Sequence, residues 1–247
     1  MTFNFWDQGF GNKEFKGFKE DKFEDKKENI FSLNNSSSKF SIFKIFKWGF
    51  LFLAIVFIIL IIVRVAYFIS LEKTNAQIKI IHNSKIDIND VIGEHLPKDP
   101  GSIGNKRIEG VDENKNGIRD DVELAIFRDY PGADFIKIRA SLLQYAMALQ
   151  SEMTQPFVNE EIATKAIVEE NRADLCVADT VVPRATPEST RTMEEVDKSN
   201  EYTRYVKNLQ INTKEREKYR EYFFTKVRSY GESENEVCDI QNFELSK

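Results

Sequence analysis

Hydrophobic positions fall into three regimes along this chain. In the first, Phe3, Phe5, Phe10, Phe15, Phe18, Phe23 and Phe31 are scattered through a Lys/Glu/Asn/Ser background. They keep neither a helical nor a strand period, so no face is built. High charge and few aliphatics leave little core to offset chain entropy. Residues 1–47 are therefore expected to form a disordered Phe/Lys-rich tail. Its phenylalanines read either as stickers for a partner or membrane surface, or as part of a plain solvated tail.

The second regime is continuous apolarity. After the alternating Lys/Phe/Ile run 39–47, Trp48–Val63 carries no charge, and Trp48–Ile69 spans 22 residues, about 33 Å as a helix. That length crosses a bilayer core. A buried core helix would be amphipathic, whereas this segment is apolar all round. Arg64 stands toward one end and can snorkel. Trp48 and Tyr67 fall near the two ends, where amphipathic rings prefer to sit. Residues 48–69 are expected as one transmembrane helix. The run starts too far from Met1 for a cleaved signal peptide and reads as an uncleaved anchor. Lys39, Lys44 and Lys47 precede it, against Lys73 and Lys79 after it. This bias favours a cytoplasmic N-terminus and an extracytoplasmic C-terminal domain.

Residues 70–110 read as a stalk. Ile78, Ile80, Ile86 and Ile88 alternate briefly and allow a short strand. Pro97, Pro100, Gly101, Gly104 and Gly110 then exclude a long regular element. The third regime follows, with a helical period. Ile118, Val122 and Ile126 predict a helix over about 119–129. A second, about 132–154, carries Phe135, Ile138, Leu142, Tyr145, Ala146, Leu149 and Met153. A third, about 158–178, has a small-residue stripe of Ile162, Ala163, Ala166, Ala173 and Cys176. A fourth, about 188–209, follows Pro183 and Pro187 and carries Met193, Val196, Tyr202, Tyr205, Val206 and Leu209. Asn212 with Glu215 resembles a capping box for a fifth, about 213–230, ending before Gly231. Its stripe includes Tyr219, Tyr222, Phe223, Val227 and Tyr230. The fold class is all-α. A calcium-loop helical domain is expected over 111–231, with a tail over 232–247.

The most informative polar stretch is Asp112–Glu123, DENKNGIRDDVE. It has the D-x-N-x-N-G-I-x-D-x-x-E pattern of a calcium loop. Asp112, Asn114 and Asn116 would supply side-chain oxygens from positions 1, 3 and 5. Gly117 permits the sharp turn. Ile118 would offer its backbone carbonyl, Asp120 a water-mediated ligand, and Glu123 a bidentate carboxylate. The bland alternative is a polar Asn/Gly turn before an acid-rich helix start. No helical pattern leads into the loop, and position 8 is Arg119 rather than an apolar residue. The reading is a single EF-like loop without a partner hand, resembling thrombospondin type 3 loops.

Charge and composition narrow the chemistry. The tail 1–47 is net +2, whereas residues 70–247 hold 25 basic and 33 acidic groups. The acidic distal part argues against nucleic-acid binding, which needs clustered cations. Cys176 and Cys238 are the two cysteines, and an oxidising compartment would favour their pairing. His82 and His95 are the two histidines, both in the stalk. G-x-S-x-G, phosphate-cradling and H-E-x-x-H motifs are missing, and the His/Cys spacing does not suit zinc. No catalytic residue is assigned, and an enzyme is not expected. A glycosidase-type carboxylate pair would be an arbitrary choice among 33 acids.

The run LPKDPGSIGNKRIEGVDENKNGIRDDVELAI, then helices, a mid-domain cysteine and NTKEREKY, resembles uncharacterised bacterial lipoproteins and membrane-anchored proteins. The resemblance covers about residues 96–230 and implies a bacterial envelope protein without implying an activity. The expected role is a single-pass, calcium-binding structural or interaction module with an envelope protein partner. The alternatives are an envelope-polymer hydrolase and partner recruitment by the N-terminal tail.

Overall fold

The computed structural model describes residues 38–186, 189–229, 231 and 236–241, with side chains from residue 43 onward. Most of the expected disordered tail lies outside them, as do Pro187, Tyr230, residues 232–235 and residues 242–247. The described chain is all-helical, with seven α-helices and no strand among the described residues.

The first helix, α1, is Ser38–Asn83. Its segment from Phe43 is long and apolar enough to cross a membrane, and its apolar stretch is unburied by protein. The helix does not stop where the apolar run stops. Residues 78–83, where a short strand seemed possible, stay helical. The buried or half-buried positions are Leu71, Thr74, Gln77, Ile78 and Ile81, a helical stripe rather than an alternation. The expected stalk is consequently packed: Thr74, Ile81, Ile86 and Val91 are buried. Leu60 onward forms one compact unit with the helical domain.

A short helix α2, Ile88–Ile92, is fixed by a reciprocal cap between Asp87 and Asp90 and ends at Gly93. A 3-10 turn, Gly101–Asn105, follows. Then come α3 (Asp120–Asp129), α4 (Ile136–Met153), α5 (Glu160–Val181), α6 (Met193–Gln210) and α7 (Lys214–Phe224). Asn159 caps α5 through the Ile162 N–H. Thr192 and Glu195 form a capping box on α6. The expected Asn212 cap of α7 is displaced by one residue: Thr213 accepts the Arg216 N–H, and Asn212 accepts from the Arg216 guanidinium instead.

α4 is the central helix. Leu142, Leu143, Tyr145, Ala146 and Leu149 are all fully buried, so apolar residues on several faces need several neighbours. α3 supplies Val122 and Ile126, α5 supplies Ala173 and Val177, and α6 supplies Val206 to the same core. A second cluster joins Phe223 of α7 to Ala163, Ala166 and Ile167 of α5. Two expected stripe residues sit at helix starts and stay exposed, Phe135 and Met193. A Cys176–Cys238 disulfide, with Cα atoms 5.0 Å apart, ties the chain after α7 back to α5.

Candidate metal centre

The segment Asp112–Glu123 folds into a loop pinched at its base. The Asp120 N–H donates to the Val111 carbonyl at 2.9 Å. Two left-handed residues turn the chain inside it, Lys115 (φ 60°) and Gly117 (φ 81°). At Gly117 the missing Cβ matters for the backbone itself.

Three of the six sequence-selected residues, Asn114, Asn116 and Glu123, meet, and a fourth lines the same loop. Asp112 reaches across the loop, and its Oδ2 accepts the Gly117 N–H at 3.0 Å. Its Oδ1 is buried without a hydrogen-bond partner. The Asn114 and Asn116 amides both point at Glu123. Their Nδ2 groups donate to Glu123 Oε2 at 3.1 Å and Oε1 at 3.0 Å. Glu123 is only 1% exposed. Positions 3 and 5 thus meet position 12, while position 1 turns into the loop at Gly117. Ile118 holds the inner bend, its N–H on Asn116 Oδ1 at 2.9 Å and its side chain in the core. Asp120 stands outside this group: its two oxygens accept the Glu113 N–H at 3.0 and 3.2 Å. It brackets the loop rather than pointing with the others.

Three carboxyls of the loop are shifted upward. Burial pushes Glu123 up to about 7, with Asp90 and Asp120 adding to the rise, against the pull of the two asparagines. Asp112 is raised by burial first and Asp90 next among the charges. Asp120 is raised by burial, then by Asp112 and Glu113. A divalent cation would relieve all three. The donor set fits a hard, oxygen-seeking ion: carboxylates of Asp112 and Glu123 and two carboxamides. For coordination each carboxamide must turn over, so that Oδ1 rather than Nδ2 faces Glu123. Among the described residues no three His, Cys, Asp or Glu side chains form a ready metal cluster. This loop would draw half its side-chain ligands from asparagine.

Sequence reasoning missed the residues that hold the loop in place. Asp90, on α2, has Oδ1 3.5 Å from Asn116 Nδ2, and the His95 carbonyl accepts from Asn114 Nδ2 at 3.0 Å. The segment before the loop therefore braces it from outside. Arg119 is fully buried and donates to the last carbonyls of α6, Leu209 at 2.7 Å and Gln210 at 2.8 Å. Asp121 forks onto the same guanidinium at 2.5 and 3.0 Å. Arg216 is equally buried and gathers the carbonyls of Gly104 (2.7 Å), Ile108 (2.8 Å) and Arg107 (3.1 Å). Burial and the neighbouring Arg119 push it down to about 10. Gly110 (φ 71°) lies under Arg119, where an added Cβ would land on the arginine side chain. An arginine in place of the usual apolar residue at loop position 8 was the only available signal.

The chain matches no protein-family model, no curated protein and no solved structure.

A second cluster of ionisable groups lies between α4, α5, α6 and α7. Arg220 bridges Glu152 at 3.0 Å and both oxygens of Glu170 at 2.8 Å. Lys207 and the Tyr145 hydroxyl also reach Glu170, at 3.2 and 3.1 Å. Burial, then Glu170, pushes Glu152 up to about 8. Burial acts on Glu170 too, but Arg220 and Lys207 outweigh it and hold it low. Of the two, Glu152 is the carboxyl whose protonated form is favoured.

Proposed function

We propose that this chain is a single-pass, membrane-anchored structural and interaction module of the bacterial envelope, and that its DENKNGIRDDVE loop binds calcium. The N-terminus would be cytoplasmic and the helical domain extracytoplasmic, displaying a surface to an envelope protein partner. The observation that carries the calcium reading is the meeting of Asn114 and Asn116 at Glu123, in a loop where Asp112 Oδ1 is buried and unpartnered. The Cys176–Cys238 bond supports an oxidising compartment. Extracellular calcium modules bind at about 10⁻⁴ to 10⁻³ M, suited to millimolar calcium. Calcium here would order a turn; opening a helix pair requires a partner hand.

Calorimetric titration of the full chain in mild detergent, with melting in parallel, tests the reading. One calcium should bind, and a tenfold excess over Kd should stabilise by about 1.4 kcal/mol. Asp112→Ala should lose both effects. Equal melting of wild type and variant in millimolar calcium would overturn the assignment. The hydrolase alternative gains little from the Glu152–Glu170 pair. Glu152 is 0% exposed and Glu170 is covered by Arg220, Lys207 and Tyr145, so a polymer does not reach these carboxyls.

A further inference from the structure

The end of α1 that leaves the apolar run is docked on the domain almost at once. The exposed apolar surface continues to Ile69, and Glu72 and Lys73 are the first charges. Thr74 is then only 2% exposed, and Asn159 Nδ2 donates to its Oγ1 at 2.8 Å. Farther on, His82 Nδ1 lies 3.4 Å from Glu169 Oε1. The order 74 then 82 on α1 matches 159 then 169 on α5, so the two segments run parallel. α5 therefore starts at the end where the apolar run stops. Five residues of helix separate Ile69 from Thr74, an axial distance of about 7.5 Å. The headgroup layer on each side of a bilayer is about 5–7 Å deep.

Two other pieces of the domain come to this same end. The α4–α5 connection, residues 154–159, leads into the start of α5 and carries Phe157, 37% exposed. The chain after α7 descends beside α5. The Arg228 N–H donates to Thr164 Oγ1 at 3.0 Å, and the Arg228 guanidinium pairs with Glu160, the first residue of α5. Just before it stand Phe224, 44% exposed, and Lys226. Aromatic rings and cations at headgroup depth are what a membrane interface selects.

We propose that the α4–α5 turn and the end of α7 form a lipid-contacting base, with Phe157, Phe224, Lys226 and Arg228 resting in the headgroup layer of the membrane. This inference rests on α1 crossing that membrane. The occupant is lipid rather than protein because the covalent helix fixes this end of the domain within a headgroup's depth of the acyl chains. Lipid contact would hold the domain in one orientation on the bilayer.

Depth-dependent quenching of single tryptophans tests it. The full chain, with Trp6→Phe and Trp48→Phe, is reconstituted into phosphatidylcholine–phosphatidylglycerol vesicles. Some of the phosphatidylcholine is brominated high on its acyl chains. Tyr67→Trp reports on the span, and Phe157→Trp on the base, with Phe224→Trp as a second base probe. Phe135→Trp reports on the start of α4, the opposite end of the domain. The base probes should lose roughly half as much emission as the span probe, reflecting interfacial depth, and the position 135 probe should lose none. A quenched span probe with base probes as bright as position 135 overturns the lipid base alone and leaves the base to solvent or a protein. Quenching of position 135 to the same extent as quenched base probes overturns the orientation and so the inference. An unquenched span probe overturns the membrane crossing and this inference together.

Discussion

Glu152→Gln should remove a pH dependence from the stability of the domain. Burial and Glu170 push Glu152 up to about 8 from an ordinary 4.5, so the native state keeps a proton that the unfolded chain releases. Glu170 is held below its usual value by Arg220 and Lys207 despite burial, and stays ionised in both states across that range. The raised group stabilises fully below the unfolded pKa, and its contribution is lost as pH rises toward the folded value. Between about pH 5 and pH 8 the slope is at most about 1.4 kcal/mol per unit. Glutamine preserves the shape and an oxygen for the Arg220 Nε–H. Variant and wild type should be close near pH 5, and the variant should gain up to about 1.4 kcal/mol per unit above it. Glu123, raised to about 7 by burial, adds a slope of the same sign. Chelating calcium in both samples lets the difference cancel it. Urea denaturation in mild detergent, followed by near-ultraviolet dichroism of the domain's tyrosines, reads the difference. A difference that stays flat from pH 5 to pH 8 would refute a raised Glu152 carboxyl.

Three further substitutions report on how the loop and the termini are held. Arg119→Met should cost roughly 3–5 kcal/mol in urea unfolding, because it strands the Leu209 and Gln210 carbonyls and leaves Asp121 unpaired; a loss below about 1 kcal/mol would show the carbonyls are solvated. Gly110→Ala should cost roughly 2 kcal/mol or more, since it combines a positive φ with a clash on Arg119. An unchanged urea midpoint would count against that close packing. Cys176→Ser should cost about 4 kcal/mol in the chain-entropy model, and reductant should bring wild type to the same midpoint.

The helices were legible where the period was strong. Ile118, Val122 and Ile126 announced α3, and the stripe through Leu142, Tyr145 and Leu149 announced α4, each within a few residues of its observed span. Boundaries slipped where polar residues compete for one cap, as Thr213 did with Asn212. The segment after the span misled for a physical reason. Its isoleucines alternate over a few residues, yet the buried set at 71, 74, 78 and 81 follows a helix continuing from α1, and tertiary contact with α5 settled the period. The candidate loop positions Asp112, Asn114, Asn116 and Glu123 were visible because their spacing is local. Asp90 and Arg216 were not, because each acts across the fold through contacts that no local spacing encodes.

The buried arginines also bear on what calcium can do here. An EF loop usually leans on a second loop and two flanking helices. This one has only α3 behind it. In front stand Asp90 and the His95 carbonyl, and beneath it the fully buried Arg119 and Arg216 fasten the chain to α6 and to the 3-10 turn. Hydrogen bonds from a charged donor contribute about 1.5–3 kcal/mol each, and these two arginines make several. A weak calcium site adds only about 1.4 kcal/mol at tenfold saturation. The arginine contacts therefore outweigh the ion, and the loop should keep its path without calcium. The ion's expected effect is to neutralise Asp112 and Glu123 and stiffen a turn already in place. A domain that unfolded on chelation would contradict this ordering of magnitudes.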